Sequence, residues 1–178
     1  MSFTKMLGER ESIVLFLIGK ELTGTKLLKI LVIQNYNVLF LYHYRIMAAG
    51  YSNTPLYKKL GMKEGFVVKL INAPGNYMKL IGEVSRKLVF GDRGLDLIHF
   101  FTNSASELEK VLPVIKQEIK KDGTIWVSWY KKSCGKPTEV TENMVRDTAL
   151  AIGLVDVKIC AVDEDWSGLK LVFRLKDR

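Results

Sequence analysis

A chain of 178 residues that is 48% apolar and 26% charged has the size of one ordinary domain, and its composition excludes wholesale disorder, collagen-like repeats and mucin-like stalks. Twenty-seven Lys and Arg against 19 Asp and Glu leave a formal charge of +8, yet basic runs never exceed pairs such as Lys58-Lys59, Lys120-Lys121 and Lys131-Lys132. A solvated basic surface is therefore favoured over a nucleic-acid partner, and two cysteines, Cys134 and Cys160, exclude a disulfide scaffold and fit a reducing cytoplasm.

Residues 1–46 alternate short apolar runs with Lys, Asn and Gln and contain no proline. Residues 30–33 and 38–42 have the β-branched and aromatic character of strands, and residues 34–37 (Gln-Asn-Tyr-Asn) suit a turn between them, which predicts a β-hairpin. A second reading starts the protein at Met47, because the sequence Met47-Ala48-Ala49-Gly50-Tyr51 resembles an ordinary N-terminus. Residues 1–46 are expected to be an appendage and residues 47–178 the domain. Residues 13–19 are apolar, but Lys20 and Glu21 end the run well short of the roughly 18 residues a membrane span needs. Glu9 and Glu11 stand where a signal peptide carries basic residues, so a cytoplasmic protein without membrane association is expected.

From Tyr51 onward the punctuation is clearer. Thr54 before Pro55 predicts a capped helix with proline at its first position, closed by Gly61. Residues 66–73 read as a buried strand, and Pro74-Gly75-Asn76 leads into a helix bearing Tyr77, Met78, Leu80 and Ile81. Residues 87–90 and 95–102 are strands joined by only four residues, too few for adjacent parallel neighbours. Ser104 and Glu107 have the spacing of a capping box, and Leu108, Val111, Leu112, Ile115 and Ile119 form one helical face ending in Lys120, Lys121 and Gly123, with Pro113 expected to kink it. Residues 124–130 are a strand. Glu139 and Glu142 mark the next helix, whose buried side is Met144, Val145, Thr148, Ala149 and Ile152 before Gly153. Residues 155–162 and 169–175 close the chain as two strands around a six-residue turn, 163–168, in which Gly168 is expected at positive φ. The order predicts an α/β fold: a Rossmann-like, class I methyltransferase-like sheet, mostly parallel, with a C-terminal antiparallel hairpin and helices on both faces.

From residue 49 to 174 the chain resembles a family of small uncharacterised bacterial proteins, domain of unknown function 3052. The resemblance rests on Gly50-Tyr51-Ser52, Thr54-Pro55-Leu56, Lys58-Lys59-Leu60-Gly61, Asn72-Ala73-Pro74, the strand DLIHFF at 96–101, WVSW at 126–129 with Lys131-Lys132, Pro137-Thr138, Val140-Thr141-Glu142, and the tail 153–172. Family members usually carry proline at the position of Tyr130 and begin near Met47. The resemblance implies a methyltransferase-like Rossmann domain and assigns no activity.

A class I methyltransferase needs a glycine-rich turn after its first strand, where backbone N–H groups approach the cofactor. Residues 72–76 (Asn-Ala-Pro-Gly-Asn) offer one glycine and a proline, so no cofactor is expected; Asp92 is the acid nearest the place where ribose hydroxyls would be held. His99 reads as a satisfied core histidine and Cys134 as an ordinary loop thiol. Asp163, Glu164 and Asp165 read as a solvated turn, and no zinc spacing, phosphate loop or catalytic triad is recognisable, so neither a metal nor catalytic residues are expected. In open α/β sheets ligands bind beyond the carboxyl ends of the strands. Tyr51, Ser52, Thr54, Asn72, Thr102, Asn103, Lys131 and Lys132 are the candidate ligand-binding residues there, and their lysines, hydroxyls and helix N-terminus suit an anionic small molecule. The expected function is a non-catalytic binding domain. The alternatives are a reduced S-adenosylmethionine-dependent methyltransferase and a basic nucleic-acid or protein-interaction module.

Overall fold

The computed structural model describes residues 13–16, 30–33 and 54–178, and the chain divides into two compact units, Met1–Tyr51 and Ser52–Arg178. In the first unit, strand β1 (Ile13–Phe16) pairs antiparallel with β2 (Ile30–Ile33), from Ile13 opposite Ile33 to Phe16 opposite Ile30. The partner shown for residues 30–33 is thus residues 13–16; the expected partner, residues 38–42, lies outside the described residues.

The second unit runs α1 (Leu56–Leu60), β3 (Val67–Ile71), α2 (Tyr77–Ile81), β4 (Val89–Phe90), β5 (Leu95–Phe101), α3 (Ala105–Glu118), β6 (Ile119–Tyr130), α4 (Glu142–Ala151), β7 (Leu154–Ala161) and β8 (Trp166–Phe173). Its six strands lie in the order β4-β3-β5-β6-β8-β7. The first three pairings are parallel and the last two antiparallel. This is a Rossmann-like α/β domain with a class I methyltransferase-like sheet closed by an antiparallel hairpin. β5 is central and buried at six of its seven positions, as expected of a strand covered on both faces.

On one face, Leu108, Leu112 and Ile115 of α3 and Val145 and Ala149 of α4 pack on Ile98, Phe100, Ile125, Val127, Leu169 and Leu171. On the other, Leu56 and Leu60 of α1 and Tyr77 and Ile81 of α2 pack on Val68, Leu97, Phe101 and Trp126. Trp126 Nε1 donates to the Leu60 carbonyl at 3.0 Å, tying the end of α1 to the sheet. Gly61 ends α1 at φ 79°, where a side chain would be strained.

β4 sits beside β3 and β5 on β3's other side, so the four residues between β4 and β5 do not join sheet neighbours. The connection is short because β4 is only two residues long and pairs level with Val67 and Val68 at the start of β3. From there the chain passes beneath that start into β5 without a crossover helix.

Several local expectations are corrected. Pro55 occupies the cap position of α1, and Leu56 is the first helical residue. Ser104 precedes α3 in extended geometry but makes no capping hydrogen bond; the Ala105 N–H donates instead to Glu139 Oε2 at 2.9 Å, and Glu107 is engaged elsewhere. The helix also stops at Glu118, because Ile119 pairs with Leu95 and is drawn into the sheet. The helix starting after Thr141 is capped by that residue, whose Oγ1 accepts from Met144 N. Finally, the closing turn is residues 162–165: Trp166 and Gly168 are already in β8, opposite Tyr130 and Ser128. Gly168 is not at positive φ; it is required because a Cβ there would meet Ser128 Oγ at 2.8 Å.

Candidate functional site

The carboxyl ends of β3, β5 and β6 open into a cleft of about 520 Å³ lined by Asn72, Pro74, Asn76, Phe101, Thr102, Asn103, Glu107, Tyr130, Lys136, Asp163, Asp165 and Trp166. Its aromatic wall is one contact chain, with Trp166 edge-on to Phe101 at 5.0 Å and against Tyr130 at 4.2 Å between ring centres. Asn72 adopts φ 55°, a left-handed turn that asparagine tolerates. Its Nδ2 donates to Glu107 Oε1 at 2.8 Å, while Thr102 Oγ1 donates to Glu107 Oε2 at 2.5 Å. Glu107 therefore links the ends of β3 and β5 from the first turn of α3.

The remaining polar groups fix the rim. Asn103 Oδ1 accepts from the Tyr130 N–H at 2.8 Å, and the Asn103 carbonyl accepts from the Glu139 N–H at 2.9 Å. Asp163 Oδ1 accepts from the N–H groups of Asp165 and Trp166, both at 2.8 Å, which shapes the turn locally. Asp165 Oδ2 meets Lys136 Nζ at 2.6 Å, and that carboxylate raises the Lys136 ammonium pKa.

Of the eight candidate residues, the structure brings Asn72, Thr102 and Asn103 into the cleft lining. Lys131 and Lys132 are not in it: Lys131 Nζ turns to the Asp163 carbonyl at 2.5 Å, and Lys132 begins an exposed 3-10 turn. Thr54 is exposed ahead of α1, and Tyr51 and Ser52 lie outside the described residues. The sequence reading missed Glu107, Lys136, Asp163 and Asp165 as cleft residues. Glu107 matches a capping box so well locally that nothing pointed it at Asn72, and the aspartates are some 60 residues further along. The helix N-terminus offered to an anion is taken by the chain's own Glu139.

The buried polar side chains outside the cleft form a line. His99 Nδ1 is hydrogen-bonded to Tyr77 Oη at 2.6 Å and His99 Nε2 to Ser128 Oγ at 2.7 Å, with the ring stacked on Phe101 at 4.2 Å. A serine thus accompanies His99, but His99 and Ser128 are both at 0% exposure. Burial lowers the His99 pKa to about 3 and raises that of the Tyr77 phenol, so both stay neutral at ordinary pH. A sealed hydroxyl has no route to a substrate, and the line is a satisfied core element.

The residues present do not fit S-adenosylmethionine. Pro74 has no N–H to offer in the turn after β3. β4 stops level with Val68, three residues or about 10 Å before the end of β3, so its following acid is carried away from the cleft. That acid, Asp92, is 82% exposed and paired with Lys69 at 3.2 Å. Among the described residues no group of three or more His, Cys, Asp or Glu is placed to hold a metal ion, and no helix is long and apolar enough to cross a membrane.

Comparison with known proteins gives one sequence match, over residues 95–175. It is to the family described as Protein of unknown function (DUF3052). The matched stretch runs from β5 through β8 and leaves the motifs before Leu95 outside it. No curated protein matches. Among solved structures the chain is similar to a protein described as a candidate type 11 methyltransferase from Sulfolobus solfataricus (17% identity, 67% of this chain and 89% of that one, TM-score 0.48). It is also similar to magnesium protoporphyrin IX methyltransferase from Synechocystis PCC 6803 (11%, 67% and 74%, 0.47) and to a TehB-like SAM-dependent methyltransferase from Corynebacterium glutamicum (9%, 75% and 95%, 0.43). The fold class rests on the strand order and pairing described above, and fold does not carry function with it.

Proposed function

We propose that the domain is a non-catalytic, cytoplasmic small-molecule-binding module whose ligand occupies the strand-end cleft and presents hydroxyl or amine donors. One observation carries this reading. Three carboxylates line the cleft against a single lysine, and that lysine is already bound to Asp165. The anionic ligand expected from the neighbouring lysines is disfavoured, because those ammonium groups are absent from the lining and a phosphate there would face Glu107, Asp163 and Asp165. An aromatic wall beside acceptor groups suits a polar ring or an amine. The non-catalytic part is supported by the burial of the Ser128–His99 pair away from the cleft.

Calorimetric titration with nucleosides and their 5′-monophosphates tests the charge preference. The unphosphorylated member of each pair should bind at least tenfold tighter, and Glu107→Gln should remove most of that difference. Tighter binding of the phosphates would overturn the reading. S-adenosylmethionine should show no binding at millimolar concentration; a dissociation constant in the low micromolar range would favour a methyltransferase.

A further inference from the structure

Strand β7 carries a bulge with a specific result. Asp156 lies opposite Leu171, on the sheet face covered by α3 and α4, whereas Lys158 lies opposite Lys170. Two steps on β7 match one on β8, so Val157 is the extra residue, and it transfers Lys158 from the helix-covered face to the other one. There Lys158 stands cross-strand to a second lysine, a pairing that repels. Trp126 is the next residue in the same row, and Lys158 Nζ lies 5.8 Å from its ring centre. Neither lysine is in an ion pair among the described residues. The Lys170 pKa is lowered by partial burial, then by the neighbouring charges of Lys158 and Arg178.

Among the described residues of this part of the face, Lys158 is exposed and Val155, Lys170 and Val172 are half-buried. The apolar cluster under α1 and α2 takes in Cys160 of β7 and Val162 just after it, but not Val155 or Val172. Further cations border it from separate elements. Lys59 of α1 adjoins Leu60, whose carbonyl holds Trp126, and Lys59, Lys131 and Lys158 all act on the Cys160 thiol. Arg178, beyond the end of β8, hydrogen-bonds the Phe173 carbonyl. At about 3.3 Å per residue the stretch from Lys131, whose N–H meets the Asp165 carbonyl, through Lys170 to the Phe173 carbonyl that holds Arg178 covers about 26 Å. A row of that length is matched by consecutive phosphates and exceeds a single small anion.

We propose that this half of the sheet face, centred on Lys158 and Lys170, docks the phosphodiester backbone of a nucleic acid. Binding is electrostatic and indifferent to sequence, since the groups offered are ammonium and guanidinium and the Trp126 ring is buried. It is centred away from the acidic cleft, which it adjoins at Lys131, and does not depend on the ligand proposed there.

Fluorescence anisotropy with a labelled 20-nucleotide strand and its duplex tests this on the full chain. Binding at about 50 mM salt should fall in the micromolar range and weaken linearly in log–log salt plots. Lys158→Ala/Lys170→Ala should lose at least tenfold and flatten the salt slope by about 1.4 to 1.8, the share of two phosphate contacts. Its melting temperature should equal or exceed the parent's, because a repulsive pair is gone. The charge-matched control Arg93→Ala/Lys110→Ala, from exposed positions after β4 and on α3, should bind as the parent does. Equal losses in both doubles would overturn the proposal as mere diffuse charge, and so would absence of binding by the parent. Full displacement by low-millimolar pyrophosphate would overturn it in favour of a small-anion site.

Discussion

The two faces of the sheet solve burial differently. Under α3 and α4 the buried cluster is aliphatic and aromatic throughout, and two helices of 14 and 10 residues cover it. Under α1 and α2, each five residues long, the sheet buries His99 and Ser128 beside Tyr77 and, among the described residues, leaves Lys158 of β7 exposed. The first face asks only for volume and shape. The second is specified by hydrogen bonds, and no buried side-chain nitrogen or oxygen among the described residues lacks a partner. The specified face is therefore the one that should respond to pH and to single added atoms.

The largest expected effect is acid sensitivity. The unfolded chain protonates His99 near pH 6.5, whereas burial delays protonation in the folded protein to about pH 3. Because the unfolded state binds the extra proton, stability is full above about pH 6.5 and declines as pH falls towards 3. At about 1.4 kcal/mol per pH unit the loss reaches several kcal/mol. Urea titrations between pH 7 and pH 4 should show it, and His99→Gln should flatten the profile. Leu112→Ala, on the aliphatic face, should cost about 3 kcal/mol at every pH and keep the parent's slope. Identical profiles for the parent and His99→Gln would erase the distinction between the faces.

A smaller effect is expected at Gly168. Gly168→Ala should cost about 1–3 kcal/mol, because the new methyl meets Ser128 Oγ at 2.8 Å, with Trp126 Cε3 and Val162 Cγ2 each at 3.3 Å. Combined with Ser128→Ala, part of that cost should disappear, and a double-mutant cycle by denaturant unfolding measures the coupling. Strict additivity would mean that β8 shifts away from Ser128.

The smallest effect concerns the N-terminus. We propose that the domain boundary lies at Met47, so a protein beginning there should lose less than about 1 kcal/mol, since the described members of both buried clusters all come after it. Thermal melting and circular dichroism check this. A large drop would make residues 1–46 part of the domain's core.

Much of the sheet was readable because its strands are apolar runs bounded by glycine, proline or asparagine, and α3 and α4 because their apolar faces repeat every three to four residues. What failed was decided by distant partners. Residues 163–168 (DEDWSG) look like a turn locally, yet Trp166 pairs with Tyr130, 36 positions earlier, and enters the strand. Ile119 continues the helical pattern of α3 and is removed from it by Leu95. The cleft suffered most. Lys131 and Lys132 are prominent in sequence, but its charge is set by carboxylates at 107, 163 and 165 that only the fold brings together.

Glu139 gives the cleft one further property. Its carboxylate holds the first N–H of α3 and its own N–H holds the Asn103 carbonyl, so the loop after β6 is fastened to the β5–α3 junction at two points. Chain that is already immobilised loses little conformational freedom when a guest arrives. Association at this cleft should therefore proceed without a slow loop-closing phase, and cutting the fastening with Glu139→Ala should weaken ligand binding even though Glu139 is not among the lining residues.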